Sequence, residues 1–172
     1  MNTLTLFREL SRHTEWADAV VFTAINANPA AQEDERLLGI LRHLHLVQKV
    51  FLDVWRNEPV NPEETGSFSV PELEQYVRKN HLAIGCYHDT LTAGMLDDAV
   101  KLPWAGLVSR NLGFEVAKPT IGETLMQVHA HSSYHRGQVN ARLRDLGIGP
   151  PMTDYIAWVW AHKPSAQWPA IN

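Results

Sequence analysis

Apolar residues recur every three or four positions along most of this chain, the spacing of a helix that buries one face. Phe7, Leu10, Thr14, Ala17, Val21 and Ala24 form the first stripe and predict a helix over residues 3–26, stopped by Asn28-Pro29. Leu37, Ile40, Leu41, Leu44, Val47, Val50, Phe51 and Val54 predict a second over 34–57. After a loop at 58–67, Ser69-Val70-Pro71-Glu72 reads as a capping box. It opens a third helix to about Met95, with Leu73, Val77, Ile84 and Leu91 inward. A second capping box, Thr120-Ile121-Gly122-Glu123, opens a fourth helix. That helix ends at Leu146-Gly147, ahead of Pro150-Pro151. Thr153-Asp154 caps a short fifth helix reaching 161 or 162.

Residues 96–119 break the pattern. They hold Pro103, Gly106, Gly113 and Pro119, with β-prone runs at Val100-Lys101-Leu102 and Phe114-Glu115-Val116. A small hairpin or an ordered crossover is expected there. Four helices of roughly 24 residues, each about 36 Å long, joined by one long connection, predict an all-α four-helix bundle with a short C-terminal helix. At 172 residues a single domain over 1–172 is expected.

Composition narrows the classes. Hydrophobic residues make up 45% and charged residues 20%, the balance of a soluble globular protein. The net charge is −4 and no long basic patch occurs, so nucleic acid is not an expected partner. No apolar run approaches membrane-spanning length and no leader is evident at the N-terminus. A cytoplasmic location is the expectation. Cys86 is the one cysteine, which excludes an internal disulfide and reads as a small apolar filler.

The nine histidines change the picture. His131 and His135 lie four residues apart, so their rings stack one turn above the other on one helical face. The flanking Val128, Ser132 and Val139 turn that face toward the bundle interior. Two imidazoles so spaced converge on one ion. The second helix offers His43, in register with Ile40, Val47, Val50 and Val54, and His45, on a more mixed face. His43 is the expected inward ligand and His45 the boundary residue. Three neutral imidazoles leave coordination positions open for water or substrate, the pattern of a catalytic site. Zinc, nickel, iron and cobalt all accept imidazole. The competing reading is a set of core histidines bonded to carbonyls, hydroxyls or water.

The remaining histidines carry less signal. His13, His81 and His88 read as core or boundary residues, His129 as solvated, and His162 as uninformative. Arg136 and Gln138 brace the site or bind an anionic substrate, or else make an interhelical salt bridge and a polar contact. Gly137 within a helix costs about 1 kcal/mol against alanine and suggests close approach of another backbone. His131-Ser132-Ser133-Tyr134-His135 lacks the glutamate of the helical zinc proteases. No phosphate loop, dinucleotide fingerprint, Glu-x-x-His pair or nucleophile elbow occurs.

The run from Val128 to Val139, with Leu143-Arg144-Asp145-Leu146-Gly147 and Pro151-Met152-Thr153-Asp154-Tyr155, resembles the C-terminal signature of the DinB/YfiT-like superfamily. Leu41 to Gln48 and Glu15-Trp16-Ala17-Asp18 resemble its earlier helices. The resemblance implies a four-helix bundle, often dimeric, that holds a divalent metal on His43, His131 and His135. One departure is Tyr134, where the family commonly has histidine. Relatives include S-transferases and isomerases that use bacterial low-molecular-weight thiols. The expectation is thus a metal-dependent enzyme, a thiol-dependent S-transferase or hydrolase of a small molecule, with zinc or nickel ahead of iron or cobalt. The alternative is a non-catalytic metal-binding or stress-response bundle acting through dimerisation or a partner, with Trp158, Trp160 and Trp168 marking such a surface.

Overall fold

The computed structural model describes residues 2–170. Their regular structure is seven α-helices: α1 Thr3–Asn26, α2 Pro29–Gln32, α3 Glu35–Arg56, α4 Val70–Thr90, α5 Ala105–Leu112, α6 Ile121–Asp145 and α7 Tyr155–Trp160. Side chains at the helix ends explain most boundaries. Asn2 and Asp34 accept from the backbone N–H of Thr5 and Leu37, each satisfying one of the orphan donors of a first turn. The N–H of Ser69 donates to Glu72, and that of Thr120 donates to Glu123 while Thr120 accepts from Glu123 N–H. At the end of α6, Gly147 adopts φ 74°, and Gly147 and Ile148 donate back to Arg144 and Leu143. Only a residue free to turn left-handed closes the helix this way.

Three expectations need correction. The third long helix, α4, ends at Thr90 rather than near Met95, because Leu91 is extended; a 3₁₀ turn, Gly94–Asp97, follows. The short α2 was not foreseen; Pro29 at its first position suits a helix start better than a helix stop. The crossover contains no hairpin. Its pairing is one isolated bridge, Ala99 with Thr120, and the stretch between holds α5. The β-prone runs are too short for a ladder, and Pro119 lacks the N–H to continue one.

The four long helices form a ring in which α1 touches α4 and α6, and α3 touches the same two. Helices α3 and α6 run antiparallel, as their paired residues show. Trp55 Nε1 donates to Thr124 at 2.9 Å, Gln48 to Ser132 at 3.1 Å, and Arg142 to Asp34 at 2.6 Å. As numbers fall along α3 they rise along α6.

The core has two apolar blocks. One gathers Val21, Phe22, Ile25, Leu37, Leu41, Leu73, Val77, Val139 and Leu143. The other gathers Phe7, Leu91, Leu96, Val100, Ile121 and Leu125. On every long helix the residues between the blocks are polar and buried: Thr14 and Asp18, His45 and Gln48, Asn80 and His81, Ser132 and Arg136. Asp18 is the hub of this waist. It accepts from Arg136 at 2.9 Å, His81 at 3.0 Å and Gln48 at 3.1 Å. Gln48 also meets His45 Nδ1 at 3.1 Å. Burial alone would raise the Asp18 pKa, but the Arg136 guanidinium and the His81 hydrogen bond overcome it and hold the carboxyl well below the usual range.

Removing one partner from such a pair leaves a buried charge uncompensated, at a cost of about 3–5 kcal/mol. Arg136→Met is therefore expected to lower the melting temperature by roughly 10 °C in a chain of this size. Thermal denaturation followed by circular dichroism checks this; a variant that melts with the parent would show the pair to be dispensable.

Candidate metal centre

The waist sets the rotation of α3 and α6, and that rotation brings three histidines together on the outer side of their seam. His43 projects from α3, and His131 and His135 from successive turns of α6. Ring centroids lie 4.2 Å apart for His131–His135, 4.7 Å for His43–His135 and 5.1 Å for His43–His131. One ring nitrogen from each lies within 4.8 Å of the others. Among the described residues no other trio of histidine, cysteine or carboxylate ligand atoms gathers as tightly.

The site is partly open to solvent rather than sealed. His131 and His135 are half-buried and His43 is exposed. The expected roles of His43 and His45 are thus reversed in burial. His45 is 1% exposed and stacks on Phe22 at 5.6 Å. The stripe that suggested an inward His43 (Ile40, Val47, Val50 and Val54) is itself only half-buried, with Ile40 and Val54 packed on the edges of the two apolar blocks. The true core face of α3 is Leu37, Leu41, Leu44 and Gln48, one step around the helix.

Each imidazole has a defined environment. Gln138 Oε1 lies 2.8 Å from His135 Nδ1. An oxygen partner fixes the proton on Nδ1 and leaves Nε2 free with its lone pair. His131 Nδ1 is hidden from solvent with no hydrogen-bond partner. Burial, then the neighbouring His135 and His43, pushes the His131 pKa down to about 4. Burial and then His135 lower that of His43. Near neutral pH these two rings are neutral, the form that donates a lone pair.

Around the trio, Tyr134 stands edge-on to His135 at 5.0 Å and is largely exposed. A side chain at Gly137 would meet nothing within 4 Å. The close backbone approach expected at Gly137 is therefore absent within this chain, and Gly39, a turn before His43, is equally open. Gln138 adjoins the trio, whereas Arg136 does not face it. The arginine is 3% exposed and committed to Asp18, so the interhelical salt bridge is the reading the structure supports.

The other expected assignments divide. His81 bonds Asp18, and His13 Nε2 lies 2.9 Å from the Thr153 carbonyl. His88 is buried with Nδ1 unpartnered. His129, expected to be solvated, packs between α1 and α6, stacked on Phe7 and 3.2 Å from Thr14 Oγ1. Cys86 is exposed rather than a core filler. Trp158 is fully buried, Trp168 half-buried, and Trp160 exposed. Sequence reasoning did not find the Asp18 hub. Its one signal is a set of polar residues in phase with apolar stripes, Asp18 with Val21 and Ile25, and Gln48 with Leu41 and Leu44.

Burial, as the largest cause, pushes His45 and His88 down to about 4 and His129 down to about 3. All three stay neutral in the folded chain at pH 5.5, while in the unfolded chain they protonate near 6.5. The unfolded state then binds more protons, so stability is full above pH 6.5 and falls as pH drops through the interval toward 4. At pH 5.5 each histidine contributes a loss of about 1 kcal/mol. Urea unfolding at pH 7.5 and pH 5.5 checks this; a midpoint that does not move would refute it.

The model of the DinB family matches residues 1–168. No curated protein matches the chain. With the helical bundle and that match over nearly its whole length, the chain belongs to the DinB family.

Proposed function

We propose that His43, His131 and His135 bind one divalent metal ion, and that the loaded protein is an enzyme acting on a small molecule. The observation that carries this is the meeting of three imidazoles from two helices, with one nitrogen from each inside a 4.8 Å span. The donor set fits. His43 and His131 are kept neutral, His131 Nδ1 is buried without a partner, and His135 is oriented by Gln138. All-imidazole ligation suits zinc or nickel, and also accepts iron or cobalt.

A bound divalent cation with open positions supplies Lewis acidity that makes a thiol or water nucleophilic near neutral pH. In the thiol version the sulfur of a low-molecular-weight thiol would bond to an electrophilic carbon, its proton passing to solvent and any leaving group departing with its electron pair; in the water version water would cleave a substrate bond, its hydroxyl and proton going to the two fragments. The chain's own residues contribute placement. His43 brings its imidazole in from the exposed side, and Gln138 holds the His135 ring. Tyr134 presents an exposed phenol at the rim. Arg136 contributes indirectly, by locking α6 against Asp18.

A second reading has its own support. Met152, Ile156 and Trp160 are exposed large apolar residues on or just before α7. Such a cluster suits a protein surface. In that reading the bundle binds metal without turnover and acts through a homodimer or another partner. Either role is compatible with a cytoplasmic location.

Elemental analysis of untagged protein should give close to one divalent ion per chain. His131→Ala and His135→Ala should each cut that content sharply while helical circular dichroism stays intact. Unchanged stoichiometry would refute the ligand set. Gln138→Ala keeps all three ligands but frees the His135 ring, and should weaken metal affinity roughly 10–100-fold in a chelator competition. A thiol-cofactor screen on loaded and chelated protein separates the two readings. Turnover that vanishes with the metal supports the enzyme; full activity after chelation would overturn it.

A further inference from the structure

The crossover between α4 and α6 encloses a cavity of its own. The lining lies wholly within residues 100–119: Val100, Leu102 and Trp104 on the way out, Val108 on α5, and Val116 and Pro119 on the return. The space measures about 460 Å³, inside the range of roughly 300–1,000 Å³ seen for small-molecule sites. Local bonds hold its shape. Val100 N–H donates to the Pro119 carbonyl at 2.7 Å and Ile121 N–H to the Asp98 carbonyl at 2.9 Å, which closes the neck. Val116 N–H donates to Ser109 Oγ at 3.2 Å and ties the return segment to α5. Trp104 stands edge-on to Phe51 of α3, with ring centroids 5.5 Å apart. Since α5 has no buried residue, Val108 borders this space without reaching the core.

The charges around the cavity are unbalanced. Two positions beyond the bridged Ala99, and two before Thr120, Lys101 and Lys118 stand on facing segments, and both line the space. Like charges across a strand pair destabilise it. Among the described residues the lysines paired with a carboxylate are Lys49 and Lys163, so neither of these two ammonium groups has an anionic partner. Arg110 makes no ion pair among the described residues either. Its Nη1 lies 3.8 Å from where a Cβ on the lining residue Gly106 would sit. Glu115 is the one acid on the lining. Water alone satisfies the ammonium groups, but it leaves the indole and valine surfaces beside them wet.

We propose that this cavity binds a small aromatic acid, its ring against Trp104, Val108 and Val116 and its anionic head between Lys101 and Lys118. A neutral ligand leaves the facing cations unmatched, and an inorganic anion leaves the apolar walls uncovered. The indole N–H groups of Trp55, Trp158 and Trp168 donate to protein acceptors, whereas that of Trp104 has none among the described residues and is free for a ligand. None of the three metal-centre histidines lines the cavity, and the inference does not depend on a metal being bound there.

Isothermal titration calorimetry of the full chain with 1-naphthoate, and with its neutral analogue 1-naphthylmethanol, tests this. One naphthoate should bind per chain, about tenfold more tightly than the alcohol, and more weakly as salt is raised. The double substitution Lys101→Met, Lys118→Met should remove that preference, since two exposed ion pairs account for roughly this factor. Val108→Trp fills the cavity and should abolish binding of both compounds; if it does not fold, the lysine pair decides. His131→Ala should leave the preference unchanged. No binding, equal affinity for acid and alcohol, or full binding after Val108→Trp would overturn the proposal. So would displacement of naphthoate by an equal concentration of inorganic phosphate, the mark of a bare anion site, or loss of binding in His131→Ala, which would put the acid on the metal centre.

Discussion

A carboxylate with almost no access to solvent has to be surrounded by its own donors, and that requirement organises this bundle. Asp18 is 2% exposed and takes donors from three helices other than its own. A rotation of α6 that removed Arg136 would strand the charge, and a rotation of α3 would remove Gln48. Hydrophobic packing is less directional, since apolar side chains can be rearranged at constant volume for a small cost. A buried ion pair does not, because its energy depends on direction and partner. The apolar blocks above and below supply the bulk of the burial, and the waist fixes the angles.

The groove histidines inherit those angles. Ser132 and Arg136 point into the waist and each directly follows a groove histidine, His131 or His135. A helix turns about 100° per residue. Fixing the inner residue therefore fixes its predecessor on the flank. On α3 the same relation holds with a two-residue step, from His45 inside to His43 outside. The trio is assembled by neighbours that never touch it.

The long helices were legible because their stripes, capping boxes and terminal glycine act locally, and local rules act the same in every fold. The pairing of His131 with His135 was legible for the same reason. The depth of each residue was not. His43 and His45 both lie beside apolar residues, and only the packing partner decides which side of a stripe is core. Val47, Val50 and Val54 are only half-buried, while Leu37, Leu41 and Leu44 are fully enclosed in the interior. His129 and Arg136 were uncertain for a related reason. Polar residues on a helix read as surface unless their partners, here Thr14 and Asp18 on α1, are known to sit opposite. Residues 96–119 misled in the other direction, since short β-prone runs say little when no second strand is in reach.

The segment after α7 crosses back over the bundle. Trp168 lies against Phe22 and His81, with the Arg78 guanidinium over its ring, and Arg78 also donates to the Pro169 carbonyl. This strap covers one flank of the waist, and the surface it seats on is made by α1 and α4, which lie far earlier in the chain. It therefore completes a layer that those two helices have to build first.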